Sequence, residues 1–223
     1  RRIPARKTTA STTAPAEHQG FWSGIRFVLQ TRTLGALVVT ATIANFAASS
    51  VMVATIFHLR SQGVSAALVG LSTSALAVGS LCGAVVAAVV VPRVRGGVLI
   101  GLCLLWLMAM ILPCSVVTGN AWAVIGLMSL AVLSGPSLNA VIGGYLVAKV
   151  PPDLQGRVDS AVSFLGSVTT PLAPLLAGFA LDIAGYQGAV ALCAVLIIGA
   201  GIPALSSRGV RSIPRPGAWG SVT

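Results

Sequence analysis

KVPPDLQGRVDSAVSFLGSVTTPLAPLLAGFALD, residues 149–182, decides how this chain is read. It opens with a short charged turn, Lys149 to Arg157, and climbs into an apolar segment long enough to form a membrane-crossing helix. Ser160, Ser163, Ser167, Thr169 and Thr170 are spread through the first part of that segment. Pro171 and Pro174 interrupt its middle. A helix that only anchors in lipid has no use for so many hydroxyls and prolines. A helix that faces a wet cavity inside a membrane protein does.

The composition around this stretch agrees. Of 223 residues, 56% are hydrophobic and only 8% are charged, and the mean hydropathy is +0.95. A soluble domain carries about 25% charged residues, so this chain could not cover a water-facing surface. The class is integral membrane. The net charge of +10 does not indicate nucleic acid, because the basic residues sit singly between apolar runs and in the two tails. Cys82, Cys103, Cys114 and Cys193 all lie inside apolar runs, without CxxC spacing or a nearby histidine. They read as small core or lipid-facing residues, and no metal or cofactor motif is present.

Working outward, six apolar segments cover roughly 34–57, 67–91, 97–117, 121–148, 158–181 and 186–205. Each is near the ~20 residues that cross a bilayer core as a helix. None alternates with a period of two, as lipid-spanning strands would, so strands are not expected. The fold class expected is all-α integral membrane. Residues 1–20 read as a disordered basic tail or linker, 21–33 as a short amphipathic interfacial helix, and 206–223 as a disordered tail. The chain opens Arg1-Arg2 rather than with methionine, which is expected of a trimmed chain or of the later part of a longer one.

Charge sets the orientation. Arg1, Arg2, Arg6, Lys7, Arg26 and Arg32 precede the first segment; Arg93 and Arg95, Lys149 and Arg157, and Arg208, Arg211 and Arg215 fall at alternate later boundaries. A six-pass chain puts all of these on one side and Arg60 alone on the other. The positive-inside rule makes that side cytoplasmic. A multi-pass cell-membrane protein with both termini cytoplasmic is expected.

Polar residues are shared unevenly. The first, second, fourth and fifth segments carry hydroxyls and two amides, whereas the third and sixth carry almost none. The third and sixth are therefore expected at the periphery against lipid, and the other four around an interior. That is a 3+3 pattern. Gly79-Ser80 and Gly166-Ser167 sit at comparable depths in segments that run in opposite directions, as in an inverted repeat. Candidate cavity-lining residues are Thr42, Asn45, Ser49, Ser74, Ser137, Asn139, Ser163, Ser167 and Thr170. Pro136, Pro171 and Pro174 are candidate kinks beside the cavity. Arg93, Arg95, Arg157 and Asp159 mark the loops on the cation-rich side.

GIRFVLQTRTLGALVVTATIANF (24–46), PPDLQGRVDSAVSF (151–164) and PLAPLLAGFALDIAG (171–185) resemble parts of the C-terminal half of a major facilitator superfamily transporter. They are similar to the entry to its seventh helix, its loop between the tenth and eleventh helices, and the end of the eleventh. The drug, macrolide and siderophore exporter branch is the most similar in flavour. The loop VVPRVRGG, residues 90–97, lacks the acidic residue usual at the matching loop of that family. The resemblance implies alternating-access efflux of an amphipathic small molecule, with an N-terminal six-helix half, upstream or as a second copy, as partner. Two alternatives stand beside it: a stand-alone six-helix protein that pairs with itself or another half, and a non-transporting membrane interaction protein. An intramembrane enzyme is disfavoured. No GxSG or HExxH occurs, and His18 and His58 both lie outside mid-membrane depth.

Overall fold

The computed structural model describes residues 24–219. All regular structure among them is helical. After a helical stretch at 24–30 come α1 (Arg32–Ser61), α2 (Ala66–Val90) and α3 (Gly96–Ile111), the last continued by a 3₁₀ turn, Leu112–Ser115. Helices α4 (Ala121–Ala131) and α5 (Gly135–Lys149) form one tract joined by a 3₁₀ turn at Val132–Ser134. Helix α6 (Pro152–Ser206) and the short α7 (Arg208–Arg211) complete the chain, with a last 3₁₀ turn at Pro216–Ala218.

Local sequence explains the boundaries. Ser65 accepts from Leu68 N (3.4 Å) to cap α2, and Asn120 accepts from Ala123 N (3.2 Å) to cap α4. Helix α1 ends at Gly63, whose φ of +73° is open to a residue without Cβ. There Gly63 N donates to Arg60 O (3.0 Å) and Val64 N to Leu59 O (3.1 Å), closing the helix end. Helix α6 begins at Pro152, within the charged turn rather than after it. Pro151 is extended, a proline suits the first helical position, and Asp153 in the first turn complements the helix dipole.

Five continuous tracts among the described residues are long and apolar enough to cross a membrane. The fifth, α6, has 55 residues. A straight helix of that length would run about 80 Å, far beyond the ~30 Å hydrocarbon core. It is not straight. Gly185 takes φ 62° and ψ −170°, a conformation nearly confined to glycine, and the chain reverses there. The limb 152–184 runs alongside α1: Arg157 lies against Gly24, and Ala177 and Ala180 cluster with Ala54. The limb 186–206 returns antiparallel, with Tyr186 bonded to Thr55 (3.0 Å) and Thr40 Oγ1 donating to Ala200 O (3.0 Å). The five tracts therefore form six long helical limbs among the described residues. The direction of α6 changes at Gly185. The backbone keeps helical dihedrals through Pro171 and Pro174.

Two expectations are corrected. The stretch 206–219 is not disordered. It folds back under the bundle, burying Val210, Ile213 and Trp219. Trp219 donates through Nε1 to Pro214 O (2.9 Å), stacks edge-on against Tyr145 at 5.9 Å, and covers Gly144. Ile213 covers Gly96. Ile213 and Trp219 each find a glycine-made notch, at Gly96 and Gly144, and the tail backbone at Val210 closes on Gly97. Residues 220–223 and the linker 1–20 lie outside the described residues, as do 21–23 of the interfacial helix; its remainder bends at Thr31 and buries Val28.

Burial also runs opposite to the expected periphery. Helix α3 and the second limb of α6 each have one face deep in the core, through Ile100, Leu104 and Ile111 and through Val190, Ile197 and Ala200. Helix α2 buries only Ser72, Gly79, Gly83 and Ala87. The first limb buries little beyond Val158, Ala161 and a seam of alanines. The reason is packing. Polar-poor helices fill space inside this bundle, while the hydroxyl-bearing face of the first limb points away from it; on α2, Ser72 is buried and Ser80 is half-buried.

Candidate functional site

The groove forms where the fourth tract breaks. Helix α2 approaches that break backbone to backbone: a Cβ at Gly79 would strike Ser129 O, and one at Gly83 would strike Leu133 O. Two glycines four residues apart make such an approach possible. The 3₁₀ turn at Val132–Ser134, followed by Gly135 and Pro136, then re-aims the chain. An open cleft of about 220 Å³ results, lined by Asn45, Ser80, Ser134, Pro136 and Asn139 over an apolar floor that includes Leu107. A second cleft of about 180 Å³ continues along α1, sharing Asn45 and Leu107 and adding Ser49, Met52 and Met128.

Together the clefts offer two amides, three hydroxyls and apolar surface, with no charged side chain among their lining residues. Ser134 is buried and back-bonded to Ala131 O (3.2 Å). Asn45, Ser49 and Asn139 are exposed. An amide both donates and accepts, so the groove can orient a neutral polar group on a ligand whose remainder packs on Leu107, Met52 and Met128.

The sequence-selected residues divide into two sets. Asn45, Ser49, Asn139 and Pro136 come together in the groove. Ser137 is buried in the bundle beside them and Thr42 is half-buried, one turn from Asn45. Ser74, Ser163, Ser167 and Thr170 are exposed and line neither cleft. On the first limb of α6, Ser160, Ser163, Ser167 and Thr170 share one outward stripe at helical spacing. Three of these close on their own helix: Ser160 on Gly156 O (2.7 Å), Ser167 on Ser163 O (2.9 Å) and Thr170 on Gly166 O (3.0 Å). Gly166 has open space beside it, unlike Gly79, so the two Gly-Ser pairs are not equivalent inside this chain.

At the cation-rich end, Arg93, in the turn after α2, donates through Nη1 to Val89 O (2.6 Å) of that helix. Arg95 precedes α3 and is exposed, as are Arg157 and Asp159. Asp159 lines a separate cleft of about 450 Å³ with Gln155 and Gly156. Gln155 Nε2 donates to Val147 O (3.1 Å) and Val150 O (3.3 Å) and holds that loop.

The groove residues Ser80, Ser134, Leu107, Met52 and Met128 are not among the sequence candidates. Ser80 and Ser134 adjoin Gly79 and Gly135-Pro136, a signal that was available. Leu107 carries none, since nothing distinguishes one leucine of α3 from the next. The opposite end holds a further unselected cluster. His58 stacks on Tyr186 at 4.1 Å and 8°, and its Nε2 meets Thr118 O at 3.1 Å. It ties the end of α1, the loop before α4 and the turn after Gly185 together. No protein-family model, curated protein or solved structure matches this chain.

Proposed function

We propose that this chain is half of a membrane transporter of the major facilitator type, moving an amphipathic small molecule by alternating access. The carrying observation is the groove of Asn45, Ser49, Ser80, Ser134 and Asn139 at a broken membrane helix. Irregular backbone at membrane depth is tolerated where it lines a cavity, and a neutral lining suits a neutral or amphipathic cargo. The outward small-residue stripe of α2 and the outward hydroxyl stripe of the first limb of α6 suit a face that meets a second six-helix body, with the six passes arranged as 3+3 and both chain ends cytoplasmic.

The same outward stripes favour a second reading, a six-helix protein that pairs with its own copy. A mono-disperse dimer in mild detergent that binds cargo supports it over the half-chain reading.

The function is tested by efflux from cells carrying the protein in its full-length context. Asn45→Leu and Asn139→Leu should each reduce efflux about tenfold at matched expression, the scale of leaving a ligand's polar group unpaired. Ser115→Leu, outside both clefts, should leave it unchanged. Equal effects of all three would remove the groove from the mechanism.

A further inference from the structure

The described residues carry nine cations at one end of the bundle: Arg26, Arg32, Arg93, Arg95, Lys149, Arg157, Arg208, Arg211 and Arg215. Only Asp153 and Asp159 accompany them. Most of the nine are there because chain boundaries are there. Arg208 and Arg211 are placed by folding. The tail that carries them turns under the bundle, with Gly209 against Thr33 and Val210–Arg211 against Gly97. Two arginines of the tail are thereby brought beside the starts of α1 and α3, where Arg32 and Arg95 already stand.

The surface immediately above this cluster is lipid-facing. Helix α3 and the second limb of α6 pack antiparallel, with Gly101 against Leu205 and Gly201 against Leu104. On α3 the outer face is Val98, Leu102 and Leu105. On the limb it is Ile198, Ile202 and Leu205. Each set recurs at three- and four-residue spacing, so each is one apolar stripe. Both stripes run down to the arginines: Arg95 is three residues before Val98, and Arg208 is three residues after Leu205.

We propose that the seam between α3 and the second limb of α6 binds one anionic phospholipid, with its headgroup phosphate on Arg95, Arg208 and Arg211. The acyl chains lie along the two apolar stripes. Arginine suits the phosphate because its planar fork donates two parallel hydrogen bonds. The tail's buried anchors, Val210 and Ile213, hold two of the three arginines in place before the lipid arrives, so little ordering is needed on binding. This site is independent of the groove and of any transport reading.

The test uses the full chain purified in a zwitterionic detergent, with retained lipid measured by native mass spectrometry. The probes are dioleoyl phosphatidylglycerol, dioleoyl phosphatidylcholine and inorganic phosphate. Phosphatidylglycerol should bind as a single retained lipid, with phosphatidylcholine at least tenfold weaker by analogy with one to two lost cation contacts. Arg208→Gln combined with Arg211→Gln should weaken phosphatidylglycerol about 25-fold, taking about fivefold per arginine. Arg93→Gln, at the same end but away from the seam, should leave it unchanged. Arg95→Gln, which leaves the tail intact, should weaken binding about fivefold and covers the case in which the double variant fails to fold. Equal retention of both lipids, equal loss with Arg93→Gln, or displacement by inorganic phosphate alone would each overturn the proposal. The last would make the cluster a free-anion site.

Discussion

Helix α2 and the first limb of α6 share a design that α3 and the second limb of α6 lack. Each of the first pair presents three faces: a small-residue face against the bundle, an outward stripe of small or hydroxyl residues, and an outward apolar stripe. On α2 these are Gly79 and Gly83 inward, the small residues Ala77 and Ala84 outward, and the exposed apolar Val78 and Val85. On the limb they are Ala173 and Ala177 inward, Ser163, Ser167 and Thr170 outward, and Val168 and Phe179 toward lipid. Helix α3 and the second limb have two faces only, core and lipid. The difference teaches that hydroxyl content does not mark depth in this chain: Thr40, Ser50, Thr55 and Ser137 are buried, whereas Ser163, Ser167 and Thr170 face outward.

The comparison breaks most readily at the inward glycines. Gly83→Leu should destabilise the chain by about 3 kcal/mol or more, because its Cβ meets the Leu133 carbonyl and backbone cannot give way. Gly166→Leu, with open space beside it, should shift stability by less than about 0.5 kcal/mol. Unfolding in mixed micelles of increasing dodecyl sulfate content measures both. Similar losses would erase the distinction between inward and outward faces.

The two-faced helices should be sensitive along one stripe only. Ile100→Ala and Ile197→Ala should each cost about 2–3 kcal/mol in the same assay, from lost packing in sites closed on all sides. Val78→Ala, exposed on α2, should cost only a few tenths of a kcal/mol, since lipid refills the space.

The tail extends the comparison beyond the membrane. Trp219→Ala removes a ring packed on Tyr145 and Gly144 and should cost about 2 kcal/mol. It should also make residues 208–219 more susceptible to protease than in the parent chain. Unchanged proteolysis would mean the clasp is not held by that ring. A modest effect is expected at one of the two side-chain bonds between α1 and the second limb, the other being Thr55 to Tyr186. Thr40→Val loses the 3.0 Å bond to Ala200 O and should cost about 0.6–1 kcal/mol, the usual range between membrane helices.

Much of this was legible in residue order. Apolar runs of helix-spanning length, bounded by Gly63, Ser65, Asn120 and Pro151-Pro152, located every limb, because turn and cap chemistry is local. Asn45 and Asn139 were visible as the two amides in otherwise apolar segments. Leu107 at the groove floor was not, and neither was the outward aim of Ser163 and Ser167. In a membrane the core and the lipid are equally apolar, so the residues that face them do not differ in kind, and helical periodicity loses the signal it has in water.

The amino-acid order alone therefore determined the all-helical class, the long apolar segments and the gathering of most charge at one end. Each of these rests on whether a segment or a side chain can leave water at all. Tertiary structure alone decided which face of each helix turns inward, that the chain reverses at Gly185 while remaining helical through Pro171 and Pro174, and that residues 208–219 close beneath the bundle. Those choices depend on shape. They turn on where a missing Cβ lets one backbone, or one tryptophan ring, come close enough to another, and that depends on a partner far along the chain.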